Sequence, residues 1–283
     1  QIKKSGAINM QQWQKIIGTS FLILILGLGL LWVLAPQDHS RERINILLLG
    51  VDARDINHPG NTDSMTILSI DKKTKEVSML SIPRDARVEI PGRGLDKINS
   101  AYPHGGFKAT IETVENFLDI KIDYYILINF DEFKNIVDTL DGIYVDVEPG
   151  TAAKVPELRG KSGFSRLNGE QALAYSRFRF DSAGDMGRVK RHQKIIQGLI
   201  DEALKPEKLT KAPIILNQLR ENTRTNILPY DTVILEKIVD GFKLEKAKIA
   251  MITGEYTTIN GIVYLIPDNI ANEKIIAELG LRN

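Results

Sequence analysis

The 283-residue chain has no cysteine, which excludes disulfides, thiolate-held metals and a cysteine nucleophile while leaving the compartment open. Histidine is scarce: four are scattered along the chain, none paired at metal-ligand spacing, so a zinc centre is not expected. Net charge is also lacking. The 37 Lys and Arg against 36 Asp and Glu leave a formal +1, which excludes a general nucleic-acid-coating role and confines strong positive potential to local clusters. No helix-turn-helix with a basic recognition face is evident, so nucleic acid is not an expected partner. There is no GxSxG nucleophile elbow, no Walker A sequence, no repeat and no low-complexity tract. What remains, 43% hydrophobic and 26% charged, suffices for one main domain with a sizeable core behind an N-terminal appendage.

One long hydrophobic run stands out. Residues 16–35, IIGTSFLILILGLGLLWVLA, carry no charge over a length that crosses about 30 Å of hydrocarbon as a helix. A cleaved signal peptide is the alternative, but its apolar region is usually about 7 to 15 residues and the Leu-Ala-Pro-Gln that follows is a poor cleavage site. Trp13 and Trp32 sit near the two ends, and Lys3, Lys4 and Lys15 precede the span, which favours a cytoplasmic N-terminus. The expected organisation is therefore a cytoplasmic segment 1–15, a transmembrane helix 16–35, a tether 36–43 and an extracytoplasmic domain 44–283. The tether reaches no more than roughly 30 Å, so the domain stays beside the bilayer.

Within the domain, Ile44–Val51 reads as a continuously apolar, buried strand, followed by strands over Ser64–Asp71 and Glu76–Ile82. Phe107–Leu118 has helical periodicity, Tyr124–Asn129 reads as a strand, Asp131 caps a helix through Leu140, and Tyr144–Val147 returns as a strand. Helices are expected at Gly187–Leu204, Ile214–Arg220, Tyr230–Phe242 and Asp268–Leu279. Strands are expected at Lys248–Thr253 and Ile262–Ile266, the latter entered through an Asn260-Gly261 turn. The alternation predicts an α/β domain with helices packed on a mixed central sheet.

The densest chemistry lies between Leu167 and Gln193. Arg177, Arg179, Arg188 and Arg191 surround only two acids, Asp181 and Asp185. A helix starting near Gly187 puts Arg188, Arg191 and His192 on one face, while Arg177 and Arg179 alternate onto one side of an extended segment. Planar guanidinium donors match phosphate oxygens, so a fork of arginines suits a polyphosphate; a solvated basic helix is the bland alternative. Asp52 and Arg54 follow the first strand's carboxyl end, the usual ligand edge of an α/β sheet, and Asp63 begins the next strand. If those strands are neighbours, Asp52 and Asp63 converge and suit one magnesium ion; otherwise they cap turns. Pro83 sets a turn holding Arg84 and Asp85, either for chemistry or as a local ion pair. The loop Lys97 to Gly106 adds a weaker, glycine-containing signal.

Taken in order, LLLGVDAR, NTDSM, SIPRDARVEIPG, KINSAYPHGG, INFDEFKNIVDTLDGIYVDV, LNGEQALAYSRFR and DMGRVKRHQ resemble the LytR-CpsA-Psr family over roughly Ile44 to Ile196, and most of all its wall teichoic acid ligases. The resemblance implies a membrane-anchored enzyme that moves an anionic wall polymer from a polyprenyl-pyrophosphate carrier to peptidoglycan. It implies that Asp52 and Asp63 hold Mg2+ (or Mn2+), that Arg54, Arg84, Arg177, Arg179 and Arg188 hold pyrophosphate, and that Asp185 and Arg191 support the cluster. Asp85 and Asp185 are the candidates for general base. The chain departs from the family at Asn61, often Arg, and at His192, often Gln. A pyrophosphatase using the same site, or a non-catalytic regulator binding the lipid carrier, are the rival readings.

Overall fold

The computed structural model describes residues 42–51, 60–178, 184–203, 205–209, 211, 214–215, 224–227 and 247–282, with the side chains of 184–186, 206, 209 and 224 excepted. The expected segments 1–15 and 16–35 and the expected helix Tyr230–Phe242 lie outside these residues, as do Asp52, Arg54, Arg179 and the side chain of Asp185. Ile214–Arg220 is described only at its first two residues, which are helical.

Residues Arg43–Val51 form β1, whose unbroken apolar run is buried on both faces. Leu47, Leu49 and Val51 point to one side, where Val114 and Leu118 of helix α1 (Ala101–Leu118) and Ile276 and Leu279 of the C-terminal helix join them. Ile44 and Ile46 point to the other side and meet Ile196 and Ile200. The period of two thus sorts one strand between two helical layers, which is why it reads as continuously hydrophobic. Antiparallel to β1 runs β2 (Thr62–Asp71), then β3 (Val77–Ser81); parallel to β1 on its other side runs β6 (Tyr124–Asn129). With β9 (Arg224–Thr225) and β10 (Lys248–Met251) the sheet order is β10-β3-β2-β1-β6-β9, mixed as expected.

Among the described residues three two-stranded sheets stand outside the central one: β4 (Arg87–Ile90) with β5 (Gly94–Lys97), β7 (Ile143–Val147) with β8 (Gly163–Leu167), and β11 (Gly254–Ile259) with β12 (Ile262–Pro267). The β11–β12 turn uses Asn260 and Gly261, both at positive φ, as the Asn-Gly pair predicts. Helix α2 (Phe130–Thr139) does not begin at an Asp131 cap. Asn129 caps it, accepting from the Glu132 N–H while the Glu132 carboxylate accepts from the Asn129 N–H, so two otherwise orphan donors are satisfied at once. Helix α3 (Gly169–Arg177) replaces the extended segment expected around Arg177, and Asn168 and Gln171 form its capping box. Helix α4 (Gly184–Ala203) and α5 (Asn269–Leu279, capped by Asp268) complete the layers. Gly169 lets α3 meet α2 closely: a Cβ there would lie 2.4 Å from the Lys134 carbonyl oxygen. Among the described residues no helix is long and apolar enough to cross a membrane.

Candidate functional site

Strand directions gather the chemistry on one edge. β1, β3, β6 and β10 run the same way, so their carboxyl ends share an edge, and β2 begins there. Val51 pairs with Thr62 but Gly50 pairs with Ser64, which leaves Asp63 as the extra residue of a β-bulge. A bulge takes a residue out of the ladder and re-aims its side chain, and the Asp63 carboxylate, 35% exposed, accepts from Arg84 Nη1 at 2.6 Å.

Arg84 stands in the turn after β3. That turn is closed by the Ala86 N–H donating to the Pro83 carbonyl at 3.0 Å, and tied outward by Asn99 N–H to Arg84 O (3.3 Å) and Leu265 N–H to Asp85 O (2.9 Å). The ionic chain continues: Arg84 Nε lies 3.7 Å from Asp85, and Lys97 Nζ donates to the other Asp85 oxygen at 2.5 Å. Arg84 and Asp85 are therefore a local ion pair, as one of the two readings of this turn has it, and also two members of a longer array. Next to Lys97, burial pushes the Asp96 carboxyl up. Donation from Arg93, from the Lys97 N–H and from the Ser100 hydroxyl outweighs burial and leaves it below the usual carboxylate range. These groups line one cavity of about 780 Å³, closed on a further side by Ile262 and Tyr264.

The arginine segment reaches the same edge by a different route. Arg177, at the end of α3, lies over the ring of Phe130 at 4.9 Å, and Phe130 directly follows Asn129, the residue paired with Val51. Arg191 departs from the expected surface fork. Only 2% exposed, it turns into the core, donates from Nη2 to the Phe178 carbonyl at 2.7 Å and packs over the Phe178 ring, so its role is to hold the chain behind Arg177. Arg188, one turn earlier, is half-buried. His192 bridges the two regions, with Nε2 3.1 Å from the Ser176 carbonyl and Nδ1 3.3 Å from Ser64 Oγ. A carbonyl only accepts, so Nε2 carries a hydrogen and donates to Ser176, while Nδ1 shares a hydrogen bond with the Ser64 hydroxyl. Asp63 and Arg177, 114 positions apart, are thereby joined through Ser64, His192 and Ser176.

Lys97, Asn99, Ser100 and His104 belong to the loop that gave a weak signal in the sequence. Arg93, Asp96, Ile262 and Tyr264 had none. The Asn-x-x-Gln spacing at Asn168 and Gln171 is the local signature that would have revealed α3. Among the described residues no group of three or more His, Asp or Glu is arranged to hold a metal.

Comparison with known proteins agrees with this architecture. The chain is 38% identical over 244 residues to the polyisoprenyl-teichoic acid–peptidoglycan teichoic acid transferase TagU of Bacillus licheniformis, covering 85% of this chain and 78% of that protein. It superimposes on the crystal structure of B. subtilis TagV with a TM-score of 0.71 at 37% identity, over 84% of this chain and 96% of that one. The family protein YwtF (TagT), solved with bound octaprenyl pyrophosphate lipid, matches with a TM-score of 0.67 at 28% identity, over 84% and 89% of the two chains. The LytR_cpsA_psr family model matches residues 29–280, and the chain belongs to that family.

Proposed function

We propose that this protein is a phosphotransferase that moves an anionic glycopolymer, wall teichoic acid, from polyprenyl pyrophosphate to a muramic acid hydroxyl of peptidoglycan. The carrying observation is the Asp63–Arg84–Asp85–Lys97 array on the wall of a cavity at the carboxyl edge of the sheet, with Arg177 brought to the same edge. Support also comes from relatives named as teichoic acid–peptidoglycan transferases and a structural neighbour that holds octaprenyl pyrophosphate.

The acceptor hydroxyl oxygen bonds to the polymer-side phosphorus, and the bond from that phosphorus to the bridging oxygen breaks, so polyprenyl phosphate leaves. The hydroxyl proton passes to a carboxylate, for which Asp85 on the cavity wall is the favoured acceptor and Asp185 the other candidate. Arg84, already held by Asp63 and Asp85, needs little reorganisation to donate to phosphate oxygens, and such preset donors usually supply the greater part of an enzyme's rate enhancement. The remaining arginines, Arg54, Arg177, Arg179 and Arg188, complete the phosphate grip.

Asp63 fits a magnesium ion: it is a hard oxygen donor facing the cavity, and Asp52 directly follows Val51, the strand partner of Thr62. Bound there, Mg2+ would neutralise pyrophosphate charge, taking few protein ligands. Residues 16–35 serve as a single membrane anchor with the domain outside the cell. External protease acting on intact protoplasts should digest the domain, and full protection would overturn that topology.

The decisive assay supplies the full chain with a defined polyprenyl-pyrophosphate-linked teichoic polymer and uncrosslinked peptidoglycan. A phosphodiester joining polymer to glycan, with release of polyprenyl phosphate, is expected. Release of the polymer phosphate to water alone would make the protein a pyrophosphatase, and intact lipid binding without turnover would make it a carrier-binding regulator.

A further inference from the structure

The cavity is larger and chemically more varied than a pyrophosphate requires. Its volume of about 780 Å³ lies within the range of whole small-molecule sites, roughly 300 to 1,000 Å³. Its described lining carries three acids, Asp63, Asp85 and Asp96, and three bases, Arg84, Arg93 and Lys97. Beyond the Asp63–Arg84 pair these charges are already matched, Lys97 to Asp85 at 2.5 Å and Arg93 to Asp96 at 2.7 Å. A matched set of charges offers little to a second polyanion, and a polar wall offers little to a lipid tail. Neutral polar groups fill the intervals: Asn61, the buried Asn99 and Ser100. An amide presents both donors and acceptors, which is what a ligand carrying hydroxyl and acetamido groups needs.

Tyr264 lines the same cavity. Its ring lies 5.7 Å from Lys97 Nζ and 5.6 Å from the Arg87 guanidinium, and Ile262 extends the same apolar wall. The hairpin that carries both is bonded directly to the catalytic turn, through the Leu265 N–H to the Asp85 carbonyl and the bridge between Ala86 and Leu265. The spacing from Tyr264 to Arg84 and Asp85 is therefore built into the backbone. An aromatic ring presents a negative face, which attracts the weakly positive C–H face of a pyranose while edge hydroxyls reach surrounding amides.

We propose that the part of this cavity lined by Tyr264 and Ile262 together with Asn61, Asn99 and Ser100 seats the acceptor as an uncharged hexosamine chain stacked on Tyr264. The assignment rests on the transferase reading above, with the Asp63–Arg84 end left to the donor pyrophosphate.

The test uses the full chain in detergent micelles with two separate probes, the neutral β-1,4-linked N-acetylglucosamine tetramer and octaprenyl pyrophosphate, each titrated by calorimetry. Tyr264→Ala should weaken tetramer binding by about tenfold or more, and Tyr264→Phe, which keeps the ring, should stay within about threefold of the parent. Octaprenyl pyrophosphate should bind the parent and Tyr264→Ala alike, and Arg84→Ala should weaken that probe while sparing the tetramer. Ile262→Asp, at a half-exposed position, should repeat the Tyr264→Ala result if the latter lowers the melting temperature. Equal tetramer affinity in the parent, Tyr264→Ala and Ile262→Asp, or no tetramer binding by the parent, overturns the subsite. Failure of the parent to bind octaprenyl pyrophosphate overturns the donor reading instead.

Discussion

At the scale of single residues, Asp63 and Arg84 are the pair on which the proposed chemistry turns. Their side chains are each about one third exposed, so their ion pair adds no more than about 1 kcal/mol to stability. A donor aimed at transition-state charge is worth more, roughly 3 to 4 kcal/mol. Arg84→Ala should therefore keep a near-native melting temperature while transfer falls about a hundredfold or more, and Arg84→Lys should recover only part because an ammonium lacks the planar fork. Asp63→Ala should also lose the rate gain from added Mg2+, measured against EDTA-treated protein. The charge-loss control is Lys190, which is exposed on α4. Lys194 is unsuitable as that control because its ammonium donates to the Asp146 carbonyl at 2.6 Å and to Glu148 at 2.8 Å. Equal small losses for Arg84→Ala and Lys190→Ala would reduce Arg84 to a surface cation.

At the scale of elements, the junction of α3, α4 and β2 decides whether the arginine segment reaches the sheet edge. Arg191 holds the Phe178 carbonyl and His192 ties Ser176 to Ser64, so both position the backbone beside the proposed substrate site. Arg191→Met removes a buried, charge-assisted hydrogen bond and should cost about 1.5 to 3 kcal/mol, read as a lowered denaturation midpoint. His192→Gln retains a donor and an acceptor and should preserve transfer, whereas His192→Leu should raise the donor KM by displacing Arg177. An unchanged donor KM in His192→Leu would show that the bridge is only packing. Strands β1, β2, β3 and β6 and the C-terminal helix were legible because their apolar spacing or caps are local signals. Hairpin β4–β5 was not: its strands are four residues long and hold their shape through contacts with Ile98 and the β11–β12 hairpin.

At the scale of the whole molecule, acid pairs tie distant segments together. Burial pushes the Glu148 carboxyl up, but donation from Lys194, from its own backbone and from Tyr175 brings it below the usual range. Burial, then Glu148, pushes the Tyr175 hydroxyl well above its ordinary value, so it stays a donor. For Asp71 too, and for Asp96, hydrogen bonds outweigh burial and lower the carboxyl. A carboxyl depressed in the folded state contributes stability that is complete above its unfolded value, about 4, and is lost as pH falls through the folded value. The melting temperature of the domain should thus be level between about pH 7 and pH 5 and fall below about pH 4. Scanning calorimetry across that range checks it, with Glu148→Gln expected to lower the melting temperature at neutral pH and flatten the decline. A melting temperature that rises on acidification would contradict these pairings.

The sequence by itself determined the α/β class, the buried central strand and the charged residues placed at the carboxyl edge of the sheet, because strand period, turn chemistry and charge clustering act within a few residues of one another. Arg84 and Asp85 after Pro83 were evident on those grounds alone. Only the tertiary structure decided which cations line the cavity and which are buried in the fold. Arg188 and Arg191 differ in sequence by one helical turn, yet packing of α4 against Phe178 buries the second and leaves the first half-exposed. Asp63 meets Arg84 because a bulge shifts the β1–β2 register, and Tyr264 meets Lys97 because a hairpin 180 residues beyond the Arg84 turn bonds back to Asp85. Such juxtapositions are products of chain closure, where long-range hydrogen bonds and core packing override what neighbouring residues prefer.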